Sequence, residues 1–232
     1  ERAQARSQGL DVLPSMNRAI LRLVDWIDVD LHNLELTVVN SEKRINKGEQ
    51  VPAKEKFLSL ADEDAAIIEK GGREPTLGYK PQLGRSENGF ITALIVPEGN
   101  ASDSGQLESI VEASMARTGV IPDMISFDDG YTSRAARDWY KGIGIEASFS
   151  GSKGKNIIPA EEYDSEKYRS ARNNRSAVES LIYTLKHNND FEQLMRRGIE
   201  AVRCELLEKV IVYNFFRIMK IRLLTQKQKQ AA

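Results

Sequence analysis

Cysteine and histidine are almost absent from this chain, which has one cysteine and two histidines among 232 residues. A single thiol, Cys204, rules out an intrachain disulfide and a Cys-x-x-Cys metal site. With only His32 and His187 present, a zinc site and Ser-His catalysis both lack their usual groups. These shortages exclude a disulfide-stabilised scaffold and the commonest zinc and serine-hydrolase chemistries.

Long apolar runs are missing as well. No eighteen consecutive apolar residues occur, and we expect no signal peptide in residues 1–30. We therefore expect no membrane segment and a reducing, cytoplasmic setting. The Gly151-x2-Gly154-Lys155 spacing does not fit a phosphate-binding P-loop. An unrelated α/β enzyme acting on a small metabolite would need a nucleotide fingerprint or a nucleophile–base pair, and we find neither.

Charge is nearly balanced over the whole chain but unevenly distributed. The formal net charge is −1. Residues 1–152 have a net charge of −7, whereas residues 153–232 have a net charge of +6. A basic C-terminal third is typical of a surface that meets DNA, and it is equally typical of ordinary helix surfaces.

The N-terminal part predicts one long helix. From Pro14 onward its apolar residues recur at alternating steps of three and four, at Met16, Ile20, Leu23, Ile27, Leu31, Leu34 and Val38. Such a stripe suits pairing with another helix or a second subunit, which leaves a homo-oligomer open. Packing along its own domain is the favoured interpretation.

Residues 51–225 carry the pattern of an α/β domain. Asn88-Gly89 predicts a hairpin between strands at Thr76–Gly84 and Phe90–Val96, and a helix follows that stops at Gly119. Further on we predict a flexible basic loop at Ser150–Lys155 and a last helical region that is capped by Asp190. The order of elements indicates helices layered on a mixed sheet, and residues 226–232 are expected to form a loose tail.

Two acidic positions stand out within this domain. Met124–Phe127 reads as a buried strand that ends at Asp128, before Asp129-Gly130 and a helix capped by Thr132 or Ser133. The second position, Glu179, lies in an uninterrupted helical stretch, where Arg175, Glu179, Ile182 and Lys186 share one face. Taken alone, the second pattern is more typical of a solvated salt-bridge ladder.

Together the two motifs resemble those of bacterial insertion-sequence transposases with a DDE catalytic domain. The resemblance runs from Asp128-x-Gly130-Tyr131-x-Ser133 to Arg175-x3-Glu179-x6-Lys186 and covers roughly residues 51–220. Some members have a tyrosine where Arg172 stands here. The resemblance implies a ribonuclease H-like fold for residues 51–225. It also suggests that residues 1–50 are part of a helical insertion or an oligomerisation segment.

The resemblance further implies the chemistry. Asp128 and Glu179 would be catalytic and would hold two Mg²⁺ or Mn²⁺ ions for phosphodiester cleavage and strand transfer. Arg175, Lys186 and Arg172 would contact DNA at transposon ends and target. Asp129 is the near alternative to Asp128, which better fits the spacing to Gly130.

The resemblance also implies a first catalytic Asp, which would complete a set of three acids with Asp128 and Glu179, and it is not identified in this chain. Asp62 is the best substitute, whereas Asp64 and especially Asp103 are expected to cap helices. We therefore expect the chain to begin after the first catalytic Asp, as a truncated copy with an incomplete metal site and weak or no activity. The alternative is a catalytically dead remnant that binds DNA or oligomerises.

Overall fold

The computed structural model describes residues 14–52, 58, 59, 61–69, 72 and 74–231, without the side chains of residues 14–16, 175 and 231. The chain is mixed α/β with a long N-terminal helix. It divides into two compact units, Glu1–Glu63 and Asp64–Ala232. The acidic positions singled out at residues 128 and 179 both belong to the second unit.

The first unit is built around helix α1, Pro14–Ser41, which continues into a π-helical turn at Glu42–Asn46. Proline at the first helical position and the lack of glycine or proline thereafter favour this long helix. Its apolar stripe is exposed, with fractional exposures from 43% to 60% for Ile20, Leu23, Ile27, Leu31, Leu34 and Val38. The favoured interpretation, packing along its own domain, is therefore wrong for these described side chains.

Six strands are described in the second unit: β1 Ala66–Ile68, β2 Thr76–Gly78, β3 Gln82–Arg85, β4 Ile91–Ile95, β5 Met124–Phe127 and β6 Glu146–Phe149. In the described parts of the chain they pair as three two-stranded sheets. β1–β2 and β3–β4 are antiparallel, and β5–β6 is parallel. The hairpin predicted from Asn88-Gly89 is confirmed, with Gly89 at φ +84°. The strand predicted at Thr76–Gly84 is wrong as one strand, because the structure divides it into β2 and β3.

These three separate pairs correct the expectation of a single mixed sheet. Part of the reason lies at the outer edge of β4, where a side chain occupies the backbone groups of Ile91. Asn214 Oδ1 accepts from the Ile91 amide at 2.9 Å, and Asn214 Nδ2 donates to the Ile91 carbonyl at 2.9 Å. At this residue β4 therefore has no backbone groups left for a further strand.

The helices of the second unit connect and cover these strands. They are α2 Leu107–Thr118, α3 Arg134–Gly142, α4 Ser152–Ile157, α5 Ala160–Tyr163, α6 Glu166–Asn188 and α7 Ile199–Ala231. Short 3-10 turns at Asp103–Gln106 and Asp129–Tyr131 precede α2 and α3. As predicted, α2 ends at Gly119, which has φ +66° and donates to the Met115 carbonyl at 2.8 Å.

Several further sequence-based boundaries differ from the structure. The loop predicted at Ser150–Lys155 contains helix α4. Asp190 has φ +51° and does not start the last helix. That helix begins at Ile199, whose amide donates to Asp64 Oδ2 at 2.7 Å. Residues 226–231, expected to form a loose tail, continue α7.

Two buried clusters both include residues of β4. The first contains Ala93, Leu107, Ile110, Val111, Phe127, Tyr140, Ile145, Ala147, Phe149, Ile158 and Tyr168. The second joins β4 to α6 and α7 through Ile91, Leu94, Val96, Leu181, Leu185, Val202, Leu206 and Val210. Because α6 contributes Tyr168 to one cluster and Leu181 to the other, its position against the strands is fixed over most of its length.

Candidate functional site

The parallel pair β5–β6 sets the position of Asp128. Phe127 is in register with Phe149, the two rings lie 5.4 Å apart, and the Ser150 amide donates to the Phe127 carbonyl at 3.1 Å. Asp128 is the next residue, with an extended backbone and an exposed side chain. It therefore lies where the carboxyl ends of two parallel strands meet, the edge at which α/β proteins collect ligands.

The neighbouring acid, Asp129, is committed to protein contacts. Asp129 Oδ1 accepts from the amides of Lys153 and Gly154 at 3.1 and 3.3 Å. The hydroxyl of Thr132 lies 3.4 Å from the same oxygen. Asp129 thus joins the turn after β5 to helix α4. Asp128 Oδ1 accepts from the Asp129 amide at 2.7 Å.

Two acids converge on Tyr131 in this turn. Burial raises the pKa of the Tyr131 hydroxyl above its usual range, and the charges of Asp103 and Asp128 raise it further. Asp103 also approaches the backbone closely, since a Cβ on Gly130 would lie 2.8 Å from Asp103 Oδ2. The 3-10 turn that carries Asp103 is therefore packed against the turn that follows Asp128.

The contacts of Asp103 correct its expected role as a helix cap. Its carboxylate pairs with Lys80 Nζ at 2.8 Å and accepts from Gln82 Nε2 at 3.1 Å. Its own 3-10 turn receives no side-chain cap. Asp64, by contrast, caps α7 as expected, through Ile199. Ser133 is confirmed as the cap of α3, since Ser133 Oγ accepts from the Ala136 amide at 3.2 Å.

Glu179 is carried by α6, which starts at Glu166, nine residues before the helical stretch that the sequence predicted from Arg175. Ser165 caps it by accepting from the Tyr168 amide at 3.2 Å. Tyr168 Oη then accepts from the Phe149 amide at 2.7 Å and donates to the Phe149 carbonyl at 3.1 Å. These bonds attach the beginning of α6 to the end of β6, and the helix also packs against β5.

Residues 168, 172, 175 and 179 follow one another at steps of four, three and four, so they share one face of α6. The first of them, Tyr168, is buried against β6, while Glu179 is exposed about 16 Å further along the helix axis. The structure therefore places Glu179 on the helix that packs against the strand ending at Asp128.

The three basic residues predicted near Glu179 differ in their surroundings. Arg172 lies 3.8 Å from the centroid of the Tyr163 ring and donates to the Tyr163 carbonyl at 3.1 Å. Lys186 forms an ion pair with Glu192. The side chain of Arg175 lies outside the described part of the structure.

Sequence reasoning missed two parts of this region. The contacts of Asp103 with Lys80 and Gln82 join positions more than twenty residues apart, so no local sequence pattern predicts them. The seating of α4 on Asp129 has a signal in the two glycines at 151 and 154, which read as loop residues. Within the described ranges, no group of three or more His, Cys, Asp or Glu side chains could hold a metal ion.

The described helices include none long and apolar enough to cross a membrane. A family model for the transposase DDE domain matches residues 22–215 of the chain. No curated protein and no solved structure matches it.

Proposed function

This chain belongs to the transposase DDE domain family, and we propose on that premise that it provides a catalytic domain for DNA transposition. The proposed reaction is metal-dependent phosphodiester cleavage and strand transfer at insertion-sequence ends. The proposed architecture is the ribonuclease H-like fold, which suits a β3–β4 hairpin followed by a helix and a parallel pair of strands. The observation that carries the proposal is the position of Asp128 at the end of β5, with the Glu179 helix packed on that strand.

The residues proposed to hold metal are Asp128 and Glu179. Both are carboxylates with exposed side chains, and hard divalent cations such as Mg²⁺ and Mn²⁺ prefer such oxygens. When bound there, the ions would neutralise charge on the attacking and leaving oxygens of the phosphodiester. Asp129 is a weaker choice because α4 already uses its carboxylate.

The basic residues of α6 are proposed to contact DNA phosphates. Lys186 can exchange its exposed pairing with Glu192 for a phosphate, because such surface ion pairs contribute little stability. Arg175 shares a helix face with Glu179 and is proposed for the same role. The stacking of Arg172 on Tyr163 favours a role in holding α5 against α6.

The first catalytic acid stays unassigned. Asp64 caps α7, and Asp103 is paired with Lys80, so both carboxylates have structural contacts. Asp62 keeps its place as the proposed substitute. Its backbone amide donates to Ser59 Oγ at 3.2 Å.

The proposal is tested by nicking of supercoiled plasmid with Mg²⁺ or Mn²⁺. We expect weak metal-dependent nicking that falls by at least about 100-fold in Asp128→Asn and in Glu179→Gln, since bound metal contributes several kcal/mol. Glu166→Gln, an exposed acid at the start of the same helix, is the matched control and should nick like wild type. Unchanged nicking in both site variants would contradict the assignment.

A second candidate function is the non-catalytic DNA-binding remnant, which the basic end of the chain favours. After Glu208 the chain contains Lys209, Arg217, Lys220, Arg222, Lys227 and Lys229 and no acid. Two measurements separate the two functions: calorimetric titration of the protein with Mn²⁺, and DNA binding at several salt concentrations. Salt-sensitive DNA binding without metal uptake would support the remnant, whereas metal uptake that Asp128→Asn abolishes would support the enzyme.

A further inference from the structure

Helix α4 stands directly beside Asp128 and has no place in the site as proposed so far. It follows β6 at the same edge of the parallel pair where Asp128 follows β5. Its first turn is held by Asp129, the residue after Asp128, through the amides of Lys153 and Gly154. One carboxylate therefore fixes the distance between α4 and the turn that carries the candidate metal ligand.

Two glycines make this seating close. Gly151 has φ +95°, and a Cβ on it would lie 2.5 Å from Asp129 Cγ. Gly154 is buried, and a Cβ there would lie 2.4 Å from the Phe149 carbonyl oxygen. Because neither position has room for a side chain, α4 can sit this deep against β6 and Asp129 only with glycine at both.

The orientation of Gly154 decides where the neighbouring lysines project. Gly154 faces inward, so Lys153 and Lys155 project to its two flanks, each about 100° around the helix. Both lysine side chains are exposed, and neither ammonium group has a hydrogen bond or ion pair among the described residues. Residues 150–160 contain no acid, so the only charges on this segment are these two cations.

Cations beside the exposed carboxylate of Asp128 and the half-buried carboxylate of Asp129 meet a physical need of a DNA site. Asp128 and Asp129 repel the phosphates that must approach them, and cations held nearby offset that repulsion. Lysines on a mobile loop would lose conformational entropy on binding, whereas α4 is already fixed by Asp129.

We propose that Lys153 and Lys155 bind backbone phosphates of the DNA strand lying at Asp128, and that Asp129 is the positioning residue that holds them there. This inference rests on the proposed function, because it names the DNA contacts of the same site. It assigns to Asp129 a role distinct from the metal binding proposed for Asp128.

The test measures binding of the full chain to a labelled duplex in EDTA at several salt concentrations. Wild type should bind with a salt-dependent affinity. In Lys153→Ala/Lys155→Ala we expect affinity at 0.1 M salt to fall at least about tenfold, and the slope of log K against log salt to shrink by up to about 2. Lys141→Ala, an exposed lysine at the end of α3, is the control and should match wild type.

The role of Asp129 has its own readout. Asp129→Ala should weaken DNA binding. Asp129→Asn should bind more tightly than Asp129→Ala, because its amide oxygen still accepts hydrogen bonds from α4. Added to Lys153→Ala/Lys155→Ala, Asp129→Ala should cause no further loss of affinity. A double-lysine variant that binds like Lys141→Ala would overturn the inference and leave the proposed function standing. A wild-type chain without salt-dependent DNA binding would overturn the proposed function itself.

Discussion

At the scale of single residues, Gly154 shows how one missing methyl group shapes the candidate site. Its backbone lies against the Phe149 carbonyl, where a Cβ would come within 2.4 Å of the oxygen and 2.8 Å of the carbon. Both neighbours are backbone atoms, which cannot rotate away as a flexible side chain could. The position therefore has no way to accommodate a larger residue without displacing α4 from β6.

We expect Gly154→Ala to lower the free energy of unfolding by about 1–3 kcal/mol, the usual range for overpacking a close contact. Gly142→Ala is the matched control, since a Cβ there would meet nothing within 4 Å. As alanine favours helix over glycine, the control should be neutral or stabilising by up to about 1 kcal/mol. Urea denaturation checks both, and equal stabilities for the two variants would contradict the close seating of α4.

A second residue-scale prediction concerns Tyr140, which is 1% exposed. Burial raises the pKa of its hydroxyl to about 12, helped by the charges of Glu108 and Glu112. In the unfolded chain the tyrosine ionises near pH 10, so between pH 10 and 12 the unfolded state binds fewer protons than the folded state. Tyr140 therefore contributes stability that is complete below pH 10 and is lost as the pH rises toward 12.

We expect wild-type stability to fall by an amount on the order of 2 kcal/mol across this range on account of Tyr140. Tyr140→Phe should show a shallower decline, measured by urea denaturation between pH 9 and pH 11.5. The hydrogen bond that the variant removes, to the Leu107 carbonyl, is long at 3.4 Å, so its baseline loss should be small. Parallel pH profiles for the two proteins would show that Tyr140 is not the residue responsible.

At the scale of elements, the boundaries set by local hydrogen bonds could be predicted from the sequence, whereas those set by contacts distant in the chain could not. Asn88-Gly89 predicted the hairpin and Ser133 predicted the start of α3, since each motif acts on its own backbone within a few residues. Helix α4 was not predicted, because contacts with residues outside its own segment stabilise it. Gly154 is unfavourable in an isolated helix, Gly151 stands just before it, and the partners of α4, Asp129 and Phe149, are not part of its own segment.

The same distinction applies to the candidate site. The spacing of the motifs selected Asp128 and Glu179, and the strand ending at Asp128 was predictable from its apolar run. The attachment of α6 to Phe149 through Tyr168 was not predictable, because no periodicity reveals which strand end a tyrosine hydroxyl will reach. The ion pair between Asp103 and Lys80 was not predictable for the same reason.

A prediction at this scale concerns the attachment of α7 to β4. Because Asn214 satisfies both backbone groups of Ile91, Asn214→Ala should destabilise by about 2–4 kcal/mol, leaving two backbone groups without partners. Asn156→Ala, an exposed asparagine at the end of α4, is the control and should change stability by less than about 0.5 kcal/mol. Chemical denaturation of the two variants provides the comparison, and similar midpoints would contradict the role assigned to Asn214.

At the scale of the whole molecule, both buried clusters belong to the second unit. Their members run from Ile91 to Val210, and the second unit begins at Asp64. Since a domain's stability comes mainly from its own core, the first unit is not needed to complete either cluster. The basic C-terminal third also lies in the second unit, so the proposed DNA contacts should remain with it.

We therefore expect residues 64–232, expressed without the first unit, to unfold in one cooperative transition by circular dichroism. Their salt dependence of DNA binding should stay within about one contact of the full chain. A non-cooperative transition would show that the second unit depends on the first, and a collapsed salt slope would place DNA contacts in residues 1–63.

The side-chain amide of Asn214 has one more consequence, for association between molecules. An open strand edge offers alternating amides and carbonyls that invite a foreign chain to pair. In an antiparallel hairpin both backbone groups of a residue point to the same side, and those of Ile91 are turned from β3 toward α7. Helix α7 thus blocks strand addition at this point of β4, through one hydrogen bond that Asn214 accepts and one that it donates.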